Sequence, residues 1–336
     1  MKVLVTGGGG FLGNAIVRKL LNRGFAVRSF SRGSYPALRE LGVEVLRGNL
    51  TDSEAVKAAC EGCETVFHVA AKAGIWGAYP EYYSTNVVGT VNVIEACRFH
   101  RIPKLIYTSS PSVIFDGTDM EGIDESVGYP SKYKAAYPKS KSIAECSVLR
   151  HNGSTLATVA LRPHLIWGPG DTHLVPGIIA RGKVGKLKRI GKQDKLVDFT
   201  FIEDAAEAHL QAADCLAIGS SVAGRAFFIS QGQPLPLWGF VNRVLAAAEL
   251  PPVTKTISPN VAYFAGILCE TLYSLLRLKD DPPMTRFLAE ELSTAHWFDI
   301  GAAKRNLAYS PKTSIEEGFT KLEEWFHSGA GQALLR

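Results

Sequence analysis

A tyrosine and a lysine four positions apart are the residues of this sequence whose chemistry is easiest to name. Tyr137 and Lys141 stand in the segment YPKSK, and Pro138 fits the first turn of a helix, where its missing N–H costs nothing. Four positions are about one helical turn, so the phenol and the ammonium group would lie on the same side of that helix. A free tyrosine titrates near pH ~10, and a neighbouring positive charge lowers its pKa by roughly one to three units. The pair therefore predicts a phenol that exchanges protons with a substrate.

A glycine-rich segment near the start of the chain predicts where a cofactor binds. An apolar run at residues 3–5 leads into four glycines, and the spacing G-x-x-G-x-x-G covers Gly7, Gly10 and Gly13. Glycine allows a strand to turn sharply into a helix, a diphosphate to approach the backbone, and the helix to pack on the strand. The N–H groups that begin the helix would then face the phosphates. A flexible surface loop is the alternative, but the strand before it and the amphipathic helix after it favour dinucleotide binding.

The end of the second predicted strand, residues 26–30, carries no acidic side chain. In dinucleotide-binding βαβ folds, an acidic side chain at the end of the second strand accepts hydrogen bonds from the ribose hydroxyls of NAD, whereas a basic side chain accommodates the 2′-phosphate of NADP. Ser31 and Arg32 follow the strand, and no Asp or Glu occurs from residue 24 to residue 38. Arginine pairs with phosphate, which a carboxylate would repel. We therefore expect NADPH in preference to NADH, unless Arg32 is only a solvated loop residue.

Strand and helix signals alternate through the first part of the chain. Such alternation predicts an α/β fold of the Rossmann type, a doubly wound parallel sheet with helices on both faces. The fourth predicted strand ends in Ala70 and Ala71, whose small side chains would let a cofactor come close. A helix is expected over residues 86–100, and the next strand, residues 105–108, leads into Ser110.

The composition excludes several other classes of protein. The chain has 336 residues, of which 46% are hydrophobic and 21% charged, as in ordinary folded domains. Its net charge of +5 is spread without long basic blocks, so no nucleic-acid partner is expected. The first strand signal begins directly after Met1 and no apolar leader is visible, which predicts a cytoplasmic protein.

The cysteines and histidines suggest no metal site. Cys60 and Cys63 form C-x-x-C, but no second pair completes a metal shell, and six cysteines in so long a chain fit reduced, mostly buried thiols. Isolated histidines such as His68, His164 and His296 are expected to be structural, because Tyr137 already fills the acid/base role.

Further segments resemble the extended short-chain dehydrogenases/reductases across about the first two thirds of the chain. They are NVVGT at 86–90, YTSS at 107–110, LRPH at 161–164, GPGD at 168–171, and DF at 198–199 followed by Asp204 and His209. The resemblance implies that Ser110, Tyr137 and Lys141 are catalytic and that the protein is a homodimer. It also implies that the cofactor is bound by Gly7, Gly10, Phe11, Leu12, Gly13, Ser31, Arg32, Asn49, Leu50, Ala70, Ala71, Asn86, Tyr137, Lys141 and Pro163. Asn49 is a departure, because the family usually has aspartate near the adenine.

Within that family, YTSS, YPKSK and the long apolar C-terminal part are similar to the 3β-hydroxysteroid dehydrogenase branch. The segments AAKAGIWGAY, LRPHLIWGPGD, PPMTRFLAEEL and SIEEG resemble reductases of bacterial long-chain olefin biosynthesis. This resemblance implies NADPH-dependent reduction of a long-chain 2-alkyl-3-oxoalkanoate to the 3-hydroxy acid, and it leaves open a complex with other enzymes of that pathway. An NAD(P)-dependent 3β-hydroxysteroid or sterol dehydrogenase is the alternative. A non-catalytic NADP-binding regulator would need neither Tyr137 nor Lys141.

Two domains are expected to interleave. Residues 1–168, joined again by 196–216, would form the dinucleotide-binding domain, and residues 169–195 and 217–336 would bind an apolar substrate.

A predicted helix over residues 259–278 has a wide apolar face, which Glu270 and Arg277 interrupt. It is too short and too polar for a membrane span. A core helix, a lid over an apolar substrate and a helix lying on a membrane surface all remain open as interpretations.

Overall fold

A seven-stranded parallel sheet lies at the centre of the computed structural model, which describes residues 1–278 and 280–335. The strands are β1 (Lys2–Thr6), β2 (Ala26–Ser31), β3 (Glu44–Arg47), β4 (Thr65–His68), β5 (Lys104–Thr108), β6 (Met120–Ile123), β7 (Ala157–Pro163), β8 (Ile166–Trp167), β9 (Arg189–Ile190), β10 (Leu196–Val197), β11 (Thr200–Phe201), β12 (Arg225–Ile229), β13 (Leu235–Pro236), β14 (Thr256–Ile257) and β15 (His296–Phe298). The central sheet has the order β12-β7-β5-β4-β1-β2-β3. Its inner strands are buried along almost their whole length, which is why they read as continuous apolar runs.

Some helices cover the two faces of this sheet, and the others belong to the second part of the chain. The helices are α1 (Phe11–Asn22), α2 (Pro36–Glu40), α3 (Ser53–Cys60), α4 (Tyr79–Tyr82), α5 (Gly89–Phe99), α6 (Ala136–Arg150), α7 (Leu174–Lys183), α8 (Ile202–Cys215), α9 (Leu237–Ala247), α10 (Pro259–Leu275), α11 (Arg286–Glu291), α12 (Gly301–Leu307), α13 (Ile315–Phe326) and α14 (Gly329–Leu335). Because side chains alternate along a strand, Val3 and Val5 of β1 join one hydrophobic core and Leu4 joins the other. The predicted Rossmann-type fold is confirmed.

The strand order reverses between β1 and β4. From β1 the sheet grows to β2 and β3 on one side, and from β4 to β5, β7 and β12 on the other. In open α/β sheets, ligands bind at such a switch point, outside the carboxyl ends of the strands. The two strands are tied together there, because Thr6 Oγ1 lies 2.8 Å from Nδ1 of His68, and the other ring nitrogen of His68 lies 2.9 Å from Thr90 Oγ1. His68 is thus a structural residue below the cleft.

The second part of the chain builds a smaller layer beside the carboxyl end of the main sheet. It includes the mixed sheet β13-β10-β15-β6 and the strand pairs β11-β8 and β14-β9. Three strands differ from the expected domain division. Strands β6 and β10 were assigned to the dinucleotide-binding domain, yet they pair with β15 in the mixed sheet. Strand β12 lies in the stretch assigned to the substrate domain, yet it pairs in parallel with β7. The reason is its fully buried Phe227–Ile229 run, which needs cover on both faces. The rest of the division stays a prediction.

Helix α10 is mostly exposed. It begins at Pro259 as predicted and ends at Leu275, and Ala262 and Gly266 are its buried residues. A Cβ on Gly266 would lie 2.7 Å from the backbone nitrogen of Arg286, so this side of the helix packs closely on α11. Its exposed apolar side chains are Val261, Phe264, Ile267, Leu268, Leu272 and Leu275. The core-helix interpretation is therefore wrong, and the other two stay open.

Residues 1–278 and 280–335 contain neither a membrane-spanning helix nor a cluster of metal ligands. None of the helices there has the length and apolar character required to cross a lipid bilayer. The same residues contain no group of three or more His, Cys, Asp or Glu side chains arranged to hold a metal ion, and the six cysteines are free thiols.

Candidate active site

A cleft of about 870 Å³ opens at the carboxyl ends of the central strands, at the switch point. It extends from the end of β2 past the glycine turn to the ends of β5 and β7. The predicted site residues on its wall are Gly7, Gly10, Phe11, Leu12, Gly13, Ser31, Arg32, Asn49, Leu50, Ala70, Ala71, Ser110, Tyr137, Lys141 and Pro163. The structure thus brings together every predicted site residue except Asn86.

The glycine turn leaves room and donors for a diphosphate. Gly7 has a φ of +73°, and a Cβ there would lie 2.9 Å from Cα of Ala70. A Cβ on Gly13 would lie only 2.1 Å from the carbonyl oxygen of Gly7. Helix α1 begins after Gly10 without a side-chain cap, and the N–H groups of residues 11–13 donate to no acceptor within the described part of the chain. Free N–H groups at a helix start fit the phosphates of a dinucleotide.

The adenosine end of the cleft carries a positive charge. Arg32 is exposed there, and within the described residues its guanidinium makes no ion pair. Its backbone carbonyl accepts a hydrogen bond from Nε of Arg47 at 2.8 Å. The buried hydroxyl of Ser31 has no hydrogen-bond partner among those residues either. A 2′-phosphate would satisfy both groups.

Asn49 also lines this end of the cleft. Its Oδ1 already accepts a hydrogen bond from the backbone N–H of Thr51 at 3.2 Å. The amide nitrogen, a donor, therefore remains for the adenine.

Asn86 was expected to bind the cofactor, and of the predicted site residues it is the one that the cleft wall lacks. The side chain is 2% exposed and does not line the cleft. Its Oδ1 accepts from the backbone N–H of Lys72 at 2.7 Å, while Nδ2 donates to the carbonyl of Lys72 at 3.0 Å and to Oγ of Ser140 at 2.9 Å. The amide therefore ties the loop after β4 to α6, and its hydrogen-bonding capacity is used by the protein.

The hydroxyl groups of the predicted catalytic residues Ser110 and Tyr137 lie near each other in the cleft. Tyr137 is the second residue of α6, and Ser110 lies just beyond β5; both line the cleft, and the hydroxyl of Ser110 is near enough to influence the pKa of Tyr137. Burial raises the pKa of Tyr137 to about 12; the nearby hydroxyl of Ser110 opposes this rise and the carboxyl group of Glu291 adds to it. The expectation that Lys141 acidifies the phenol is not met, because Lys141 is not among the groups that shift this pKa.

Lys141 points to the end of β5. Its Nζ donates to the carbonyl oxygen of Thr108 at 2.6 Å and lies 4.1 Å from the centre of the Tyr107 ring. Burial lowers the pKa of Lys141 to about 7, and Glu145 opposes that change. The ammonium group is thus engaged with β5, which explains why it contributes little to the pKa of Tyr137.

A buried ion pair holds α6 against the sheet. Glu145 lies one turn after Lys141 and accepts from Nη2 of Arg162 on β7 at 2.6 Å, with side chains that are 0% and 4% exposed. The hydroxyl of Tyr129 donates to the same carboxylate at 2.6 Å. This contact fixes the position of Tyr137 and Lys141 over the ends of the strands.

The cleft wall also contains residues that were not predicted as site residues, among them Tyr35, His164, Phe287 and Glu291. Tyr35 packs on the glycine turn, where a Cβ on Gly9 would collide with its ring. His164 is at once structural, as expected, and part of the wall. Phe287 and Glu291 come from a helix some 150 positions after Tyr137, and nothing local in their sequence indicates that they fold back to it.

Comparisons with known proteins agree with this geometry. A model of the 3-beta hydroxysteroid dehydrogenase/isomerase family matches residues 4–257. The 2-alkyl-3-oxoalkanoate reductase of Stenotrophomonas maltophilia is 50% identical over 325 residues, 96% of this chain and 98% of that protein. The mouse (Mus musculus) sterol-4-alpha-carboxylate 3-dehydrogenase, decarboxylating, is 33% identical over 331 residues, 97% of this chain and 91% of that protein. The structure of UDP-glucuronic acid 4-epimerase from Bacillus cereus in complex with NAD shares the fold, with a TM-score of 0.75 over 100% of both chains at 19% identity.

Proposed function

The chain belongs to the 3-beta hydroxysteroid dehydrogenase/isomerase family, and from that premise we propose that it uses NADPH to reduce the ketone of a long-chain 2-alkyl-3-oxoalkanoate to the 3-hydroxy acid. It is an oxidoreductase that acts on alcohol and ketone groups. The observation that carries the proposal is that Ser110, Tyr137 and Lys141 line the same cleft as the glycine turn.

In the proposed mechanism, the bound dinucleotide supplies a hydride to the ketone carbon. Tyr137 gives its proton to the oxygen as negative charge develops there, and Ser110 donates a hydrogen bond to the same oxygen. A phenol whose pKa is raised to about 12 is fully protonated at neutral pH, which suits a proton donor. Lys141 would hold the nicotinamide ribose from its place beside β5.

NADPH is proposed over NADH because of the charge at the adenosine end. Arg32 is an exposed cation on the cleft wall, and the unpartnered hydroxyl of Ser31 lies beside it in the chain. A guanidinium group and a hydroxyl are suitable partners for a 2′-phosphate.

The names of the relatives support an acid as substrate. A 2-alkyl-3-oxoalkanoate and a sterol 4-carboxylate oxidised at carbon 3 both carry a carboxyl group on the carbon next to the reacting one. The two classes differ in the rest of the molecule, which is two flexible alkyl arms in one and a rigid ring system in the other.

A second cavity supports the flexible class. It has a volume of about 700 Å³ and shares Ile75 and Phe287 with the cleft, so the two cavities adjoin. Ile267 and Leu275 of α10 form part of its wall. We propose that α10 is a lid over an alkyl arm of the substrate. This role would account for the exposed apolar face of the helix.

The test is an assay of the purified protein with NADPH, a branched long-chain 3-oxo acid and, in parallel, a 3-oxosteroid 4-carboxylate. Loss of absorbance of the reduced nicotinamide should be fast with the branched acid. The sterol dehydrogenase function, which the mouse relative favours, would replace the proposal if only the steroid reacted. No turnover of either ketone with either NADPH or NADH would refute it.

A further inference from the structure

The carboxyl group of Glu291 lines the cleft and has no role in the proposed mechanism. Glu291 and Phe287 are one turn apart on α11, and both line the cleft. The neighbouring Glu290 does not line it and instead forms an ion pair with Lys134. The mechanism described above makes no use of Glu291.

The carboxyl group of Glu291 has no ion pair and no hydrogen bond within residues 1–278 and 280–335. The backbone carbonyl of the same residue accepts a hydrogen bond from Nε2 of His296 at 2.8 Å. Burial raises the pKa of Glu291 to about 7, so the acid form is well populated at neutral pH. The carboxyl group influences the pKa of Tyr137, and the other titratable and polar groups on that side of the cleft wall are Ser110, Lys141, His164, Asp171 and His173; His296 contacts the backbone of Glu291.

The cations of the cleft are poorly placed to bind a substrate carboxylate. Lys141 is held by the carbonyl oxygen of Thr108. Arg32 follows β2, three strands from β5, which corresponds to about 14 Å. It is therefore at the far end of the cleft from Ser110.

His164 is excluded by its hydrogen bonds. Nε2 of His296 must donate to the carbonyl of Glu291, so Nδ1 of His296 is an acceptor. Nε2 of His164, 2.7 Å away, must therefore donate to it, and Nδ1 of His164 is left without a proton. Burial lowers the pKa of His164 well below its usual value, so the ring stays neutral and offers a carboxylate no second donor.

We propose that Glu291, in its protonated form, binds the carboxylate of the substrate by donating a hydrogen bond to one of its oxygens. This inference rests on the proposed function, since it concerns how a 3-oxo acid is held beside Ser110 and Tyr137. An O–H···O⁻ hydrogen bond is among the strong ones, and two carboxyl groups that share a site hold one proton between them. An ionised Glu291 would instead repel the substrate.

The proposal predicts a pH dependence that only acidic substrates show. Because 3-oxo acids lose carbon dioxide spontaneously, the assay runs from the 2-alkyl-3-hydroxy acid with NADP⁺. A secondary alcohol of the same carbon skeleton without the carboxyl group is the reference. The ratio of kcat/KM for the acid to kcat/KM for the alcohol cancels the titration of Tyr137. It should be constant at low pH and fall by about tenfold per pH unit above the pKa of Glu291 in the free enzyme.

Three variants sharpen the test. In Glu291→Gln, the amide donates without titrating, so the ratio should lose its pH dependence and remain high. In Glu291→Leu, the ratio should be lower by about tenfold or more at neutral pH, since a hydrogen bond to a charged group is lost. Glu290→Gln is the matched control and should leave the pH dependence as in the wild type.

Two results would overturn this inference and leave the proposed function standing. One is a ratio that does not vary with pH in the wild type. The other is a pH dependence of the ratio that Glu291→Gln retains and His173→Gln removes. His173 is the exposed ring at the rim of the same cleft, and the second result would assign the role to it. Oxidation of neither compound would refute the proposed function and this inference with it. Oxidation of both with a constant ratio would refute only the role of Glu291.

Discussion

Tyr137 lies half-buried in the cleft with Ser110 and Glu291, and its raised pKa sets the direction in which it works best. A phenol with a pKa of about 12 is protonated at neutral pH, so proton donation to a ketone needs no prior ionisation. The reverse reaction, oxidation of the alcohol, needs the phenolate. As long as the pH is below the pKa, the phenolate fraction rises about tenfold for each unit by which the pH increases.

Reduction and oxidation should therefore respond differently to pH. We expect the kcat for ketone reduction to change little between pH 6 and about 9, while the kcat for alcohol oxidation rises steadily over the same range. Rate profiles in both directions with saturating cofactor test this. An oxidation rate that levels off near pH 7 would show instead that the bound cofactor or Lys141 lowers the pKa of the phenol.

Arg32 is the residue that should distinguish the two dinucleotides. In Arg32→Ala, kcat/KM for NADPH should fall by about 10- to 100-fold, because a hydrogen-bonded charge pair with the phosphate is lost, and kcat/KM for NADH should change little. Arg39→Ala is the control, since Arg39 is exposed on α2 and does not line the cleft. Equal losses with both dinucleotides would contradict the assignment.

At the scale of elements, α6 carries Tyr137 and Lys141 and is held by the pair of Glu145 and Arg162. Removing one partner of a buried ion pair leaves the other charge buried and unpaired. We expect Arg162→Met to lower the free energy of unfolding by about 3–5 kcal/mol, measured by denaturant titration. Arg243→Met, which breaks the exposed pair with Glu316, should have a much smaller effect. Similar losses in the two variants would refute the anchoring role.

Helix α10 should influence which chain lengths are accepted. Leu275 is 78% exposed at its outer side and also lines the second cavity, whereas Phe264 is 68% exposed and does not line it. In Leu275→Ser, the preference for long over short alkyl arms in kcat/KM should fall several-fold, since each buried CH₂ contributes about 0.8 kcal/mol. Phe264→Ser should keep the preference. A loss in both variants, or in neither, would contradict the lid.

At the scale of the whole molecule, what could be predicted from the sequence is what depends on neighbours in the chain. The glycine turn, the place of Tyr137 at a helix start and the reversal of strand order follow from local spacing and from the rules for parallel sheets. What the sequence did not predict is contacts between separate segments. The side chain of Asn86 forms hydrogen bonds with the backbone of Lys72, in the loop after β4.

Other features depend on the completed fold in the same way. Lys141 donates a hydrogen bond to the carbonyl oxygen of Thr108 at the end of β5. The exposure of α10 could not be read from its apolar pattern, because a core helix and a surface helix of this kind share that pattern. Glu291 reaches Tyr137 only because the C-terminal part of the chain folds over the carboxyl end of the sheet.

The most direct test of the central claim is the single-turnover rate of Tyr137→Phe with NADPH and a 2-alkyl-3-oxoalkanoate, measured together with the Kd for NADPH. If the phenol is the proton donor, the rate should fall by about 10² to 10⁴ while the Kd stays close to that of the wild type. A variant that binds NADPH normally and reduces the ketone at nearly the wild-type rate would contradict the account.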